Sequence, residues 1–304
     1  MISAHKIALD PNNVQETYFR QAAGTARFAY NWALHQWQQQ YDAWKSDPTL
    51  PKPSEAALRR QLNAIKREQF PWMLEVTKNA PQMAIIHLGQ AFQNFFAGTA
   101  AYPTFKKKGR HDRFTLTNDQ FAIQGSRVHI PKLGWVRMHE PLRFMGKVLE
   151  GTVSRTADRW FLSVTVEMPD PPSVRRENQA VVGVDLGVSA LATLSTGERI
   201  RGPKAYATAQ KQLRRLSQHF SRQMEAAKMR AGLAPGQPIP KGMVIPWSKN
   251  MQKTQRRMAR LHARIANIRD HALHQLTTML VERFDVMAIE DLNVAGMLKN
   301  HKLA

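Results

Sequence analysis

A carboxylate inside a run of apolar residues constrains the fold of this chain more than any other feature. Residues 180–188 read Ala-Val-Val-Gly-Val-Asp-Leu-Gly-Val, a pattern typical of a buried strand, and Asp185 interrupts it. Because an ionised carboxylate is costly to bury unpaired, we expect Asp185 to be buried beside a bound cation that offsets this cost. A second apolar strand, residues 285–289, ends at Glu290.

The order of elements around these two acids predicts an α/β fold like that of ribonuclease H. Between the acids the sequence predicts two strands and two helices, at residues 190–194, 199–200, 210–230 and 249–283. In that layout the first and fourth strands are parallel neighbours, because a helical crossover joins them. We therefore expect Asp185 and Glu290 to lie close together.

Two carboxylates at one edge of a sheet predict a site for a hard divalent cation. Mg²⁺ prefers oxygen ligands and serves phosphodiester hydrolysis, and Mn²⁺ is the alternative ion. Each acid also has a purely structural interpretation. Asp185 can end its strand and cap the glycine turn that follows, and Glu290 can cap a short helix at residues 294–298.

The distribution of charge predicts a polyanionic partner. The 304 residues contain 44 Lys and Arg against 23 Asp and Glu, which gives a net charge of +21. Sixteen of the basic residues, but only two acids, fall between residues 201 and 280, and a second basic cluster covers residues 106–113. This clustering indicates nucleic acid as the partner, and a solvated helix surface is the other interpretation. The side chains expected to contact nucleic acid in the two clusters are Lys106, Lys107, Lys108, Arg214, Arg215, Arg256, Arg257, Arg260 and Arg264.

The absence of cysteine from the sequence excludes several kinds of site. A chain without cysteine cannot form disulfides, use a thiol nucleophile or bind zinc through cysteine. The sequence also has no apolar run long enough for a membrane span and no signal-peptide core at its start. We therefore expect no membrane partner, and a location in a prokaryotic cytoplasm, associated with the nucleoid.

The first half of the chain predicts a helical block inserted into a sheet. The predicted helices cover residues 14–37, 56–65 and 81–96, and the predicted strands cover residues 5–9, 128–130, 135–138, 151–155 and 160–168. The first strand has no partner among the helices, so we expect it to join the later sheet. Prolines at residues 169–172 predict a stiff linker to the α/β part.

Several motifs, in the same order, resemble those of the TnpB family of transposon-encoded RNA-guided DNA nucleases, relatives of the type V CRISPR effectors. Residues 183–187 and 289–292 resemble the first two motifs of its RuvC nuclease domain. Residues 24–31 resemble the first helix of its recognition lobe. Residues 102–108 and 130–136 resemble its wedge domain.

The resemblance implies an α+β multidomain protein in which a β-barrel wedge contains an inserted helical recognition lobe and is followed by an RNase H-like RuvC domain. The expected domains are residues 1–13 and 98–172 for the wedge, 14–97 for the recognition domain and 173–304 for RuvC. The implied partners are a guide RNA from the transposon end and a double-stranded DNA target, with Asp185 and Glu290 as catalytic metal ligands. Lys78 and Gln82, with Asn118 beside them, correspond to positions that read a short motif next to the target.

The resemblance also shows what this sequence lacks. A complete family member continues with more of RuvC, a four-cysteine zinc ribbon and a third catalytic aspartate. The 304 residues are therefore the ordered part of a longer chain, a truncated form or a naturally shortened relative, and zinc is expected only with the ribbon. An RNA-guided DNA-binding protein or repressor without cleavage is the alternative function, and a strand-joining transposase is a third.

Overall fold

The computed structural model describes residues 1–110, 112–170, 180–187 and 189–297 of the chain. These residues divide into two compact units, at residues 1–171 and 172–304. The division falls within the proline-rich segment predicted as a linker, of which residues 171 and 172 lie outside the described residues.

The first unit consists of one strand, a helical block and six further strands. Its helices are α1 (Asn13–Ser46), α2 (Glu55–Gln69), a short 3-10 helix (Pro71–Glu75) and α3 (Asn79–Phe96). Its strands are β1 (Ile2–Asp10), β2 (Arg113–Thr117), β3 (Ala122–Gln124), β4 (Arg127–Ile130), β5 (Gly134–Met138), β6 (Lys147–Thr156) and β7 (Arg159–Glu167). Strands β2 and β3 were not among the predicted elements.

A capping box joins β1 to the long helix α1. The Asn12 side chain accepts a hydrogen bond from the Gln15 main-chain N–H at 2.9 Å, and the Gln15 side chain accepts one from the Asn12 N–H at 3.0 Å. Each bond satisfies a donor that the first helical turn would otherwise leave unpaired. The residues that follow the first strand therefore also start the helix.

Strand β1 lies in the middle of a seven-stranded sheet. The strand order is β2-β6-β7-β1-β5-β4-β3, and neighbouring strands pair antiparallel. Residues 2–8 of β1 pair with β7, and Leu9 and Asp10 pair with β5. The prediction that the first strand joins the later sheet is confirmed, and the helical block is an insertion between β1 and β2.

The helices and the sheet of the first unit share one hydrophobic core. Phe19 of α1 lies with its ring centroid 5.2 Å from that of Trp160 in β7 and 6.0 Å from that of Phe114 in β2. All three side chains are buried. Because burying a side chain of this size stabilises a fold by about 1.5–3 kcal/mol, these contacts hold α1 firmly on the sheet.

The second unit contains a four-stranded sheet and two long helices. Its elements are β8 (Val181–Asp185), β9 (Ala192–Leu194), β10 (Arg199–Ile200), α4 (Ala205–Arg230), α5 (Lys249–Arg283), β11 (Val286–Ile289) and the short α6 (Val294–Met297). The strand order is β10-β9-β8-β11, in which β11 pairs parallel with β8 and the other pairs are antiparallel. The predicted parallel pairing of the first and fourth strands is confirmed.

Helix α5 packs on two different partners along its length. Ile265 packs with Leu213 of α4, whereas Leu276 and Leu280 pack on the sheet with Val182 and Val184. Ile268 and Leu273, which lie between these two contacts, are exposed.

Candidate functional site

The parallel pairing of β8 and β11 brings Asp185 and Glu290 to the same edge of the sheet. Val184 pairs with Ile289, so the next residues, Asp185 and Glu290, stand side by side at the carboxyl ends of their strands. Neighbouring strands lie about 4.8 Å apart, close enough for two carboxylates to share one ligand. Both side chains are exposed. The expectation that Asp185 is buried is therefore wrong, since it lies on the strand face opposite the buried Val182 and Val184.

The two carboxylates line an open cleft of about 430 Å³ in the second unit. Gly183 pairs with Ala288 two positions before the acids, so small residues occupy the same face of the two strands. The Gly183 N–H donates a hydrogen bond to the Ser195 hydroxyl at 3.0 Å, and this bond ties the cleft floor to the end of β9. The cleft is thus lined by a fixed backbone and left open beside the acids.

The two acids can bind a hard cation. No donor among the described residues forms a hydrogen bond or ion pair with Asp185 or Glu290, so their oxygens can accept a ligand. The described part of the chain holds no cluster of three or more metal-binding side chains. Two carboxylates nevertheless fit Mg²⁺, which commonly binds one or two protein carboxylates and takes its other ligands from phosphate and water.

The structural interpretation of Glu290 as a helix cap is not supported. The residue that caps α6 is Asn293, whose side chain accepts a hydrogen bond from the Gly296 N–H at 2.9 Å. Glu290 lies three residues earlier, directly after β11. Its carboxylate is therefore left for the cleft.

The structure brings Lys78, Gln82 and Asn118 to one surface of the first unit. Lys78 and Gln82 line the same cleft of about 270 Å³ at the start of α3. Asn79 donates a side-chain hydrogen bond to the Thr117 hydroxyl at 2.8 Å, so the turn that contains Asn118 lies against the start of α3. Lys78 and Asn118 are both exposed.

Three polar residues of α2 that the sequence did not single out line the same cleft. They are Arg59, Asn63 and Lys66. Their spacing of four and three residues places them on one helix face, and this spacing is the signal that sequence reading could have used. The Arg59 side chain pairs with Glu55, whereas burial lowers the pKa of Lys66 and Arg67 lowers it further.

The lysines of the second basic cluster differ in environment. Lys107 and Lys108 are exposed, but Lys106 is half-buried with its ammonium 3.7 Å from the centre of the Tyr30 ring. Burial, and after it the nearby Arg113, lowers the pKa of Lys106 to about 8. Of the three lysines, only Lys106 is held in a fixed place.

The arginines of the larger basic cluster lie on an antiparallel helix pair. Leu213 of α4 packs against Ile265 of α5, and the far ends of the helices pack through Ala227 and Met251. The predicted nucleic-acid contacts on these helices are all exposed: Arg214, Arg215, Arg256, Arg257, Arg260 and Arg264. Among the helices that the structure describes, none combines the length and apolar character needed to cross a membrane.

Two family models match the chain. The OrfB_IS605 family, described as a probable transposase, matches residues 163–301, and a helix-turn-helix domain of the same family matches residues 1–46. The structure shows no helix-turn-helix in the second region. Residues 1–46 form strand β1 and the single continuous helix α1.

Two curated relatives cover nearly the whole chain. A protein of Escherichia coli K12, provisionally named RNA-guided DNA endonuclease InsQ, is 32% identical over 301 residues, which are 98% of this chain and 68% of that protein. A protein of Streptomyces pristinaespiralis, provisionally named RNA-guided DNA endonuclease, is 32% identical over 312 residues, which are 99% of this chain and 69% of that protein.

A solved structure, that of the Cas12f1-sgRNA-target DNA complex, aligns with 94% of this chain and 66% of its own. The identity is 13% and the TM-score is 0.47, so this likeness supports no further statement. The identity to the InsQ protein over 98% of the chain, together with the match to the transposase model, is sufficient to assign the chain to a family. The chain belongs to the OrfB_IS605 family, to which the TnpB proteins belong.

Proposed function

We propose that this chain is an RNA-guided DNA endonuclease of transposon origin. The names of its relatives support this proposal, and the observation that carries it is the register of β8 and β11, which sets Asp185 beside Glu290. A guide RNA from the transposon end and a double-stranded DNA target are the proposed partners. The exposed arginines of α4 and α5 supply the positive charge that binding to both requires.

Asp185 and Glu290 are the proposed catalytic metal ligands. A bound Mg²⁺, or Mn²⁺ in its place, would activate water and stabilise the charge that develops on the phosphate. The chain's own contribution is to hold the two carboxylates at one edge of the sheet, above a floor of Gly183 and Ala288 that leaves space for a phosphodiester.

We also propose the domain names that the family suggests. Residues 1–13 and 98–172 would form the wedge, a sheet that curls into a barrel, with residues 14–97 inserted as the recognition domain. Residues 173–304 would form the RuvC domain. The central place of β1 supports the insertion, and the parallel pair β8–β11 supports the RuvC assignment.

Two conservative substitutions test the catalytic role. Asp185→Asn and Glu290→Gln each remove one negative charge from the cleft with almost no change in shape. We expect either variant to lose more than about 100-fold in guided DNA cleavage with Mg²⁺, because ligands of a catalytic metal act in the transition state. Binding to guide RNA and target DNA should stay close to that of the unmodified chain.

The matched control is Asp270→Asn, which removes one carboxylate from an exposed position of α5 in the same unit. This variant should cleave as well as the unmodified chain. Full cleavage by Asp185→Asn, or equal losses in the variant and the control, would rule out the assigned role.

A second candidate function is an RNA-guided DNA binder or repressor. This function is favoured by the cleft's set of ligands. The cleft has two acids, and the described ranges hold no cluster of three metal-binding side chains. Guided binding without any cleavage by the unmodified chain would establish this function. Joined DNA strands instead of cleaved ones would point to a transposase.

A further inference from the structure

A small cationic cleft lies in the first unit, between α1, α3 and the start of β2. Its apolar wall is formed by four small residues, Ala23, Ala26, Ala80 and Ala84. Its polar lining includes Arg27, His87, Lys106, Arg113 and the carboxylate of Asp112. The volume is about 20 Å³, which accommodates one or two water-sized atoms. Such a space can take one or two oxygens of a phosphate group but not a base or a sugar.

Lys106 is fixed in this cleft by its neighbours on α1. The Asn31 side chain donates a hydrogen bond to the Lys106 carbonyl at 2.9 Å and accepts one from the Lys106 N–H at 2.8 Å. The ammonium group lies over the Tyr30 ring, at a distance typical of a cation–π contact. Residues 24–31 and 102–108, two separate motifs in the sequence, are therefore one structural unit.

The carboxylate of Asp112 in the cleft already has partners. Asp112 pairs with Arg27 at 3.1 Å and also accepts a hydrogen bond from the Gly109 N–H at 3.2 Å. Among the residues that the structure describes, no carboxylate pairs with Lys106 or Arg113. Burial lowers the pKa of both His87 and Lys106, and Arg113 lowers each of them further, as expected where cations crowd one another.

We propose that this cleft binds one phosphate of a nucleic-acid backbone, with Lys106 and Arg113 as its two cationic contacts and Asn31 as a positioning residue. An anion between the two cations would offset the cost of holding an ammonium group half-buried without a carboxylate partner. The main chain of Arg113 is fixed at the first position of β2, where it pairs with Ser154 of β6, and its side chain is exposed. The inference rests on the proposed function for the identity of the polyanion, which is guide RNA or target DNA.

A double-mutant cycle on the full chain tests this site. Affinity for a guide RNA and for a DNA duplex is measured between about 50 and 200 mM salt, a range over which phosphate contacts weaken steeply. Lys106→Gln and Arg113→Gln should each lower the affinity about tenfold for one of the two nucleic acids and reduce the salt slope by about one. Because both cations contact the same phosphate, the double variant should lose clearly less than the product of the two single losses.

The matched control is Lys107→Gln, which removes the same charge from the neighbouring, exposed position. Its effect should combine multiplicatively with that of Arg113→Gln. Multiplicative effects of Lys106→Gln and Arg113→Gln, or equal effects of Lys106→Gln and Lys107→Gln, would overturn the proposal. The nucleic acid that shows the coupling identifies the source of the phosphate.

A measurement on the unmodified chain keeps the proposal testable if a variant fails to fold. Acetylation of individual lysines is followed by mass spectrometry, with and without the RNA or the duplex. Protection of Lys106 beyond that of Lys107 and Lys108 is expected, and equal protection of the three would contradict the site. If the unmodified chain binds neither nucleic acid, the proposed function itself fails. If binding depends steeply on salt, but Lys106 shows neither coupling to Arg113 nor selective protection from acetylation, only the phosphate site is contradicted.

Discussion

The Asn79 side chain donates a hydrogen bond to the Thr117 hydroxyl at 2.8 Å and so holds the start of α3 against the end of β2. The residues next to this bond in the sequence are Lys78 and Asn118. Both are exposed, and hydrogen bonds from Thr117 and Gln120, with Lys78 as a weaker influence, lower the pKa of the nearby Asp119. One partly buried hydrogen bond therefore sets the geometry of the surface proposed to read the motif beside the target.

Gln82 is predicted to contribute to that reading. A side-chain amide that contacts a base edge provides about 1–3 kcal/mol of discrimination between bases. Gln82→Ala should therefore relax the sequence preference at one position beside the target while leaving guide RNA binding unchanged. Cleavage or binding of a randomised DNA library measures this. The control is Gln90→Ala, an exposed position of the same helix, and an unchanged preference in Gln82→Ala would contradict the role.

Removal of the Asn79 side chain should destabilise the first unit. Asn79 is 1% exposed, and Asn79→Ala would leave the Thr117 hydroxyl without this donor. The expected loss in the free energy of unfolding is about 0.5–1.5 kcal/mol, the net value of a typical hydrogen bond. Urea denaturation measures it. Asn118→Ala, which removes the same kind of side chain from an exposed turn, should change the stability by less than about 0.5 kcal/mol.

Lys106 is predicted to reduce stability near neutral pH. Its folded-state pKa of about 8 lies below the ordinary lysine value, so the folded state binds fewer protons than the unfolded state between those two values. Stability should therefore rise with pH from about 8 to about 10.5. Lys106→Met should stabilise the chain by about 1–3 kcal/mol at pH 7 and lose this advantage as the pH rises through that window.

Thermal denaturation of both forms across this pH range tests the effect. The control is Lys107→Met, because Lys107 is exposed. A constant difference between Lys106→Met and the unmodified chain at every pH would show that titration of Lys106 does not contribute.

The arginines of α5 are predicted to contact phosphates. Replacement of Arg256, Arg257 and Arg264 by glutamine should reduce the slope of log affinity against log salt by up to about three, since each neutralised phosphate adds close to one. Filter binding across a salt series measures the slope. Arg283→Gln provides the control on the same helix, because Arg283 already pairs with Glu198 at 2.8 Å. A slope that stays constant in the threefold variant would place the binding face elsewhere.

Two features of the second unit were predicted correctly from the sequence: the bounds of its longest helix and the parallel pairing of the strands that carry its two candidate metal ligands. The helix predicted at residues 249–283 has those bounds in the structure, and the parallel pairing that joins Asp185 to Glu290 followed from the order of elements. The exposure of Asp185 could not be predicted from the apolar run, because apolar neighbours show that a strand is present but not which of its faces is covered.

Short elements and contacts between distant segments were harder to predict. Strand β3 is only three residues long, too short for a clear alternation of polar and apolar residues, whereas Phe114 and Leu116 of β2 do alternate with polar residues, so β2 could have been predicted. The contact of Asn31 with Lys106 joins residues 75 positions apart through the main chain of one partner, and such a bond leaves no periodic signal. The polar set on α2 has a helical spacing that the sequence shows, but only the placement of α3 beside it forms the cleft that the set lines.

The central position of β1 has a consequence for synthesis of the protein. Strand β1 is synthesised before its partner β7, which ends at Glu167, and at about 5–20 residues per second the ribosome needs on the order of ten seconds or more to make the residues between them. Until then β1 can pair only with β5, through Leu9 and Asp10, and its residues 2–8 have no strand to pair with. A ribosome-bound chain that ends before β7 should therefore be open to proteases along β1, and removal of the first ten residues should prevent the sheet from assembling even when every later strand is present.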